Sequence, residues 1–302
     1  MKTILLFIDG LGWGPADARS NPQYSYGGEF FRLPKPESGP VTVAGGGLAV
    51  PIDAVLGVEG IPQSATGQTT LFSGVNAQKV LGKHLTGFPN PKLREILREH
   101  SILKSLSDRG YAARFLNAFR PRFRELSEER KWTLSATTVA NLAADLPFFY
   151  LEDVNAGRSV YQEFTNAELI SRGFSVQPMK AEDAGRIVGR QIRNYDFLLY
   201  EYFQTDKAGH SGEIEKSAAQ LCLLDEFLRG LLDEISRDVL IVLTSDHGNL
   251  EDATTRRHTL NPVPLMAWGQ DASGFLDGVS RLDQVAGAIL KRYPDQGRWP
   301  SR

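Results

Sequence analysis

VLIVLTSDHGN, residues 239–249, runs without a charge from Val239 to Ser245 and then breaks on Asp-His-Gly. An apolar run that does not alternate suits a parallel strand covered on both faces. Two other stretches repeat the pattern: TILLFI (3–8), ahead of Asp9, and YDFLLYEYF (195–203), ahead of Asp206. In open α/β sheets the ligand site lies beyond the carboxyl ends of the strands, so three aspartates in that position point to one shared site.

Working outward, IEKSAAQLCLLDEFLRGLLDEI (214–235) carries apolar residues at helical spacing between two of these strands. Strands alternating with helices predict an α/β fold, a doubly wound and mostly parallel sheet core. Residues 20–50, rich in Pro, Gly and aromatics, read as an elaborated loop with a short strand at PVTVA. From 77 to 188 the pattern changes to helical stretches (PKLREILREHSILKSLSDRG, ATTVANLAADL) and scattered aromatics, with no strong buried strand before 195. This predicts an inserted, smaller α+β cap domain at 77–188, and a core formed by 1–76 and 189–302. The chain shows no repeats or low-complexity tracts.

The 302 residues exceed the usual single-domain size, and 41% apolar with 23% charged residues reads as soluble and globular. A net charge of -2 gives no reason to expect nucleic acid or an anionic membrane as partner. Cys222 is the only cysteine, which precludes an intrachain disulfide and fits a reducing cytoplasm. The opening MKTILLFIDG is too short and too soon interrupted by Asp9 for a secretory signal, and no apolar run approaches the ~20 residues that cross a bilayer. A cytoplasmic protein is expected; nothing in the sequence speaks to its oligomeric state.

The chemistry-bearing residues concentrate in TDKAGH (205–210), TSDHGNLE (244–251) and HTLNPVP (258–264), which hold three of the five histidines. Asp206 and His210 are four apart, and Asp246 and His247 are adjacent at a strand end. Carboxylates and imidazoles converging there suit Zn²⁺ or Mn²⁺. Each segment alone has a plainer reading, as a helix cap or a glycine-supported turn. Three together, the first two behind buried strands, favour a metal site. A second stretch, IPQSATGQTTLFSG (61–74), offers the hydroxyls of Ser64, Thr66, Thr69, Thr70 and Ser73.

The order of these motifs (DG near the N-terminus, a Ser or Thr three residues ahead of Gly, D-x-x-G-H, DHGN, HTxNPVP) resembles the alkaline phosphatase superfamily. Its nearest branch holds cofactor-independent phosphoglycerate mutase and phosphopentomutase. The resemblance covers roughly 1–75 and 190–270; in length the 77–188 insertion is nearer to phosphopentomutase, while HTxNPVP favours the glycerate mutase side. It implies two divalent metal ions, one held by Asp206, His210 and His258, the other by Asp9, Asp246 and His247 with Ser64 completing the shell. It also selects Ser64, three residues before Gly67, as the nucleophile. In support, QTTLFSG reads as the start of a helix, whose N-terminus favours phosphate. Thr66 is the runner-up or a supporting group, while Thr69, Thr70 and Ser73 serve local backbone groups.

What the resemblance implies is phosphoryl transfer through phosphoserine on a small phosphorylated metabolite, by a phosphomonoesterase or phosphomutase. A sulfatase is disfavoured, because QSATG lacks the Cys/Ser-x-Pro-x-Arg context. The alternatives are a phosphodiesterase of the same superfamily and a non-catalytic, metal-dependent phosphometabolite sensor. For substrate contacts the expectations are Lys83 and His84, which follow the nucleophile by about twenty residues. The other candidates are Arg120, Arg122 and Arg124, which would point one way on an extended segment. Asn249 and Thr259 are expected to orient metal ligands.

Overall fold

The computed structural model describes residues 1–34 and 39–295. Its main sheet has seven strands. In chain order these are β1 (Lys2–Ile8), β2 (Val41–Val43), β3 (Gly47–Ile52), β4 (Ala113–Phe115), β8 (Phe197–Tyr202), β9 (Val239–Thr244) and β10 (Val263–Trp268). A separate three-stranded sheet is formed by β5 (Asn117–Phe119), β6 (Phe149–Tyr150) and β7 (Val160–Tyr161).

The spatial order of the main sheet is β2-β3-β10-β9-β1-β8-β4. β1 lies at its centre, parallel to β8 on one side and β9 on the other, with Leu5 opposite both Leu199 and Val242. All three central strands are buried along almost their whole length, as their unbroken apolar runs require. The expectation of a mostly parallel sheet needs one amendment: β10 runs antiparallel to both β9 and β3, and β2 antiparallel to β3, so the sheet is mixed.

Alternate residues of β1 feed two cores. Ile4, Leu6 and Ile8 pack beneath the helices Ala181–Gln191 and Ile214–Glu234, with Phe227 and Leu231 among their neighbours. Leu5 and Phe7 face the opposite layer, which holds Leu71, Leu97, Leu103 and Val139. Helices therefore cover both faces, the doubly wound arrangement that a parallel centre demands.

The second layer also revises the expected cap boundary. The helices Pro91–His100, Ile102–Asp108 and Ala136–Ala143 fall within 77–188, yet they bury Leu97, Leu103 and Val139 in the main core. β4, at 113–115, pairs with β8 as the sheet's edge strand. A boundary at 77 rests on the lack of a long apolar run, and a three-residue edge strand supplies none. What stands beside the main sheet is the small β6-β5-β7 sheet, which begins one residue after β4.

β1, β8 and β9 are parallel, so their carboxyl ends share one edge of the sheet. β10 is antiparallel, so its beginning lies at that same edge, and residues just before Val263 reach it too. β3 runs antiparallel to β10 and hence ends there, delivering the loop that leads to the helix Ser64–Ser73. Five distant segments meet for topological reasons alone.

Candidate functional site

Ser64 is the first residue of its helix, with Gln63 extended ahead of it. No side chain caps that end; Thr66 N donates to Leu85 O at 3.3 Å, which leaves the N–H groups of Ser64 and Ala65 for an anion. Gly67 explains how the helix comes so near the end of β9: a Cβ there would lie 2.7 Å from the main-chain oxygen of Asp246.

The Oγ of Ser64 is 3.0 Å from Nε2 of His247. The same nitrogen lies 3.3 Å from Oδ1 of Asp9 and 3.4 Å from Oδ2 of Asp246. Asp9 and Asp246 are buried, and each has a carboxylate oxygen with no hydrogen-bond partner. Gln68 donates to the other oxygen of Asp9 at 3.2 Å. Burial, together with the charges of Asp246 and Asp206, pushes the Asp9 carboxyl well above its ordinary range. Burial lowers His247, against the pull of Asp246, so its ring is neutral and able to act as a ligand.

Asp206 and His210 lie on the helix Gln204–Ser211 that follows β8. Nε2 of His210 is 3.3 Å from Oδ2 of Asp206, and Nε2 of His258 is 3.5 Å from Oδ1. The two Nε2 atoms are 3.3 Å apart. Each ring turns its Nδ1 to a main-chain carbonyl, His210 to Arg256 at 2.8 Å and His258 to Pro62 at 3.0 Å. A carbonyl only accepts, so Nδ1 carries a proton in both rings, and the two Nε2 atoms face each other beside a carboxylate, positions that must share a proton or a metal ion. Burial raises the Asp206 carboxyl, but hydrogen bonding to His258, the charge of His247 and the Asn249 amide outweigh it and bring it to about 2. His258 is lowered by burial and raised more strongly by Asp206.

Among the described residues, no Lys or Arg forms a salt bridge with Asp9, Asp206 or Asp246. Unsatisfied buried carboxylates and converging lone pairs are costly unless a cation sits among them. The donor set therefore fits divalent metal ions. Geometrically it falls into two groups, Asp206 with His247 and His258, and Asp9 with Asp246 and His247. His247 belongs to both, so the two positions are adjacent, and His210 adjoins the first.

Asn249 and Thr259 lie just outside this set. The Asn249 amide donates to Asp206 Oδ1 at 2.7 Å and to its main-chain oxygen at 3.2 Å. Thr259 donates instead to Glu251, a buried carboxylate that also accepts from Gly12 N at 3.0 Å, Asn249 N at 2.8 Å and the Asn261 amide at 3.0 Å. Sequence reasoning missed Glu251, although it closes the stretch DHGNLE, two residues beyond Asn249. It also missed Glu201, buried near the end of β8 and hydrogen-bonded by the Thr137 hydroxyl at 2.6 Å. Burial raises Glu201 to about 7, with Thr137 opposing and Asp246 assisting.

Thr66 is fully buried, its hydroxyl donating to Gln63 O and accepting from Leu85 N, so it serves the backbone. Above the acidic floor opens a cavity of about 820 Å³ that reaches Asp9, Ser64, Glu201 and Asp206. Arg120 and Arg122 line it; Lys83 and His84 do not. Lys83 is exposed, and His84 bonds Val58 O at 3.1 Å. Arg124 parts from its two neighbours, pairing with Glu152 and lying 3.6 Å over the Tyr150 ring. Pro121 starts a 3-10 turn, Pro121–Phe123, and the alternation expected of an extended segment is lost.

Whole-chain likenesses agree with this architecture. The fold is similar to that of the PH0037 protein from Pyrococcus horikoshii (TM-score 0.55, 15% identity, 99% of this chain and 98% of that one). It is also similar to a cold-active alkaline phosphatase from Shewanella sp. (TM-score 0.54, 13% identity, 97% and 100%). In sequence, the chain is 32% identical over 106 residues to the 2,3-bisphosphoglycerate-independent phosphoglycerate mutase of Clostridioides difficile (strain 630), covering 32% of this chain and 21% of that protein. The Methanococcus vannielii mutase of the same name is 32% identical over 97 residues, 32% and 23%. The aligned stretch thus amounts to about a fifth of the length of these relatives. Residues 124–293, more than half of the chain and including Asp206, His210, Asp246, His247 and His258, match a single family. The buried acids and the facing imidazoles are what its name describes: the chain belongs to the Metalloenzyme superfamily.

Proposed function

We propose that the protein is a metal-dependent phosphatase or phosphomutase that acts on a small phosphorylated metabolite through a phosphoserine at Ser64. The observation that carries this reading is the place of Ser64, at a helix start without a side-chain cap and 3.0 Å from His247, which lies within reach of both Asp206 with His258 and Asp9 with Asp246. Asp206, His210 and His258 would hold one divalent ion, Mn²⁺ or Zn²⁺, and Asp9, Asp246 and His247 the other. When bound, such ions favour the ionised serine hydroxyl and neutralise charge on the phosphoryl oxygens.

The chain's own residues do the rest. The N–H groups of Ser64 and Ala65, at the start of the helix, orient the phosphoryl oxygens toward the Ser64 hydroxyl. As the Oγ–P bond forms, the bond from phosphorus to the substrate oxygen breaks. The proton lost by Ser64 balances the one gained by the leaving alcohol. Attack by water on the phosphoserine then releases phosphate; attack by another substrate hydroxyl completes a mutase cycle. Asn249 fixes the Asp206 carboxylate throughout.

A panel of phosphosugars, phosphoglycerates and an aryl phosphate, followed by phosphorus NMR, tests this. Free phosphate identifies a hydrolase and isomer exchange without it a mutase. Tight binding with no turnover and no labelled Ser64 overturns the reading in favour of a sensor.

A further inference from the structure

The 820 Å³ cavity lies well within the ~300–1,000 Å³ that encloses drug-sized ligands, far more room than a phosphate on a short chain needs. Its walls have two features that the acidic floor does not explain. First, Phe115, Phe119 and Phe123 form a packed aromatic wall, with ring centroids 6.2 Å and 4.3 Å apart in succession. Phe88 also lines the cavity while 61% exposed, the most exposed phenylalanine among the described residues. Second, Arg120, Arg122, Arg130 and Lys207 line the same cavity, and among the described residues none of them forms a salt bridge. Cations close by in sequence but off the cavity are paired, Arg124 with Glu152 and Lys131 with Glu128.

We infer that the cavity takes a phosphomonoester whose alcohol portion carries a flat ring and a second negative charge. The inference rests on the phosphoryl-transfer reading for the phosphate end, which the floor receives. A ring laid against Phe88 and the phenylalanine wall gains buried area and edge or offset contacts. A carboxylate or second phosphate satisfies unpaired guanidinium groups, which bind such anions through two parallel hydrogen bonds and also stack on rings. A ringless phosphorylated acid leaves the aromatic wall wet, and an uncharged aryl phosphate leaves the arginines unpaired.

The test is calorimetry on Mn²⁺-saturated full-length protein with three stable phosphonates: 4-carboxybenzylphosphonate, benzylphosphonate and 3-phosphonopropionate. The first binds best, and removing either the carboxylate or the ring weakens binding by about tenfold. Phe88→Ala narrows the gap that the ring makes, and Arg122→Gln the gap that the carboxylate makes; both side chains are exposed, so neither change endangers folding. If either truncated phosphonate binds within about threefold of the complete one, a difference under 1 kcal/mol, the inference is overturned. Labelling of Ser64 is scored separately. The expected ranking without phosphoserine sinks the catalytic reading alone, and phosphoserine with a flat ranking sinks the ligand class alone.

Discussion

Nε2 of His210 and Nε2 of His258 face each other across 3.3 Å, with both Nδ1 protons committed to main-chain carbonyls. A proton on one ring or a metal ion between the two makes that arrangement favourable, and neighbouring Asp206 and His247 give a divalent ion the fuller set of donors. Protein stripped with chelator will therefore gain stability on addition of Mn²⁺ or Zn²⁺, by about 2.7 kcal/mol per site at a hundredfold excess over Kd. His258→Ala removes most of that gain while the far-ultraviolet circular dichroism stays unchanged. A melting curve indifferent to both saturating metals overturns the metal assignment.

Ser64 and Thr66 are two residues apart and differ entirely in surroundings. Ser64→Ala eliminates both the phosphoprotein band and turnover of an aryl phosphate. Thr66→Ala keeps the band but costs about 1 kcal/mol, because Leu85 N loses its acceptor and Gln63 O a donor. Mass spectrometry of the trapped phosphopeptide decides; a label on Thr66 reverses the assignment.

Gly67 sets how near the nucleophile's helix comes to β9. In Gly67→Ala the new methyl meets Asp246 O at 2.7 Å, so helix or strand end must yield. The expected cost is about 1–3 kcal/mol in urea unfolding, with kcat falling more than KM rises. An alanine variant of full stability and activity shows that the helix has slack.

Glu251 receives four donors from three segments, those of Gly12, Asn249 and the pair Thr259 and Asn261. Glu251→Gln replaces one acceptor with an NH₂ group that faces other donors, at a cost of about 1–3 kcal/mol. Metal affinity should fall about 10–100-fold, since the Asn249 and His258 segments lose their common anchor. If stability drops while calorimetric metal affinity holds, Glu251 supports the fold and not the centre.

The legible parts of the fold are those where one physical demand leaves one pattern. A strand covered on both faces must be apolar throughout, and a carboxylate at its end stands out, as at Asp9 and Asp246. The direction of β10 is not legible, because VPLMAW reads identically in a parallel or antiparallel strand. β4 escapes notice for its brevity, which displaces the apparent edge of the insertion. Glu251 and Glu201 have partners set by the meeting of distant segments, at no fixed spacing. Arg124 shows the converse error: a periodicity is real only if the backbone keeps it, and Pro121 does not.

The central place of β1 carries a consequence for how the molecule is made. Thr3 pairs with Phe197, and Lys2 with Val239, so during synthesis β1 lacks both neighbours until some two hundred further residues have followed it. During that interval KTILLFI is an unpaired apolar edge, the kind of segment that aggregates or engages chaperones. Such long-range closure predicts slow refolding, and a chain ended before residue 195 should be insoluble.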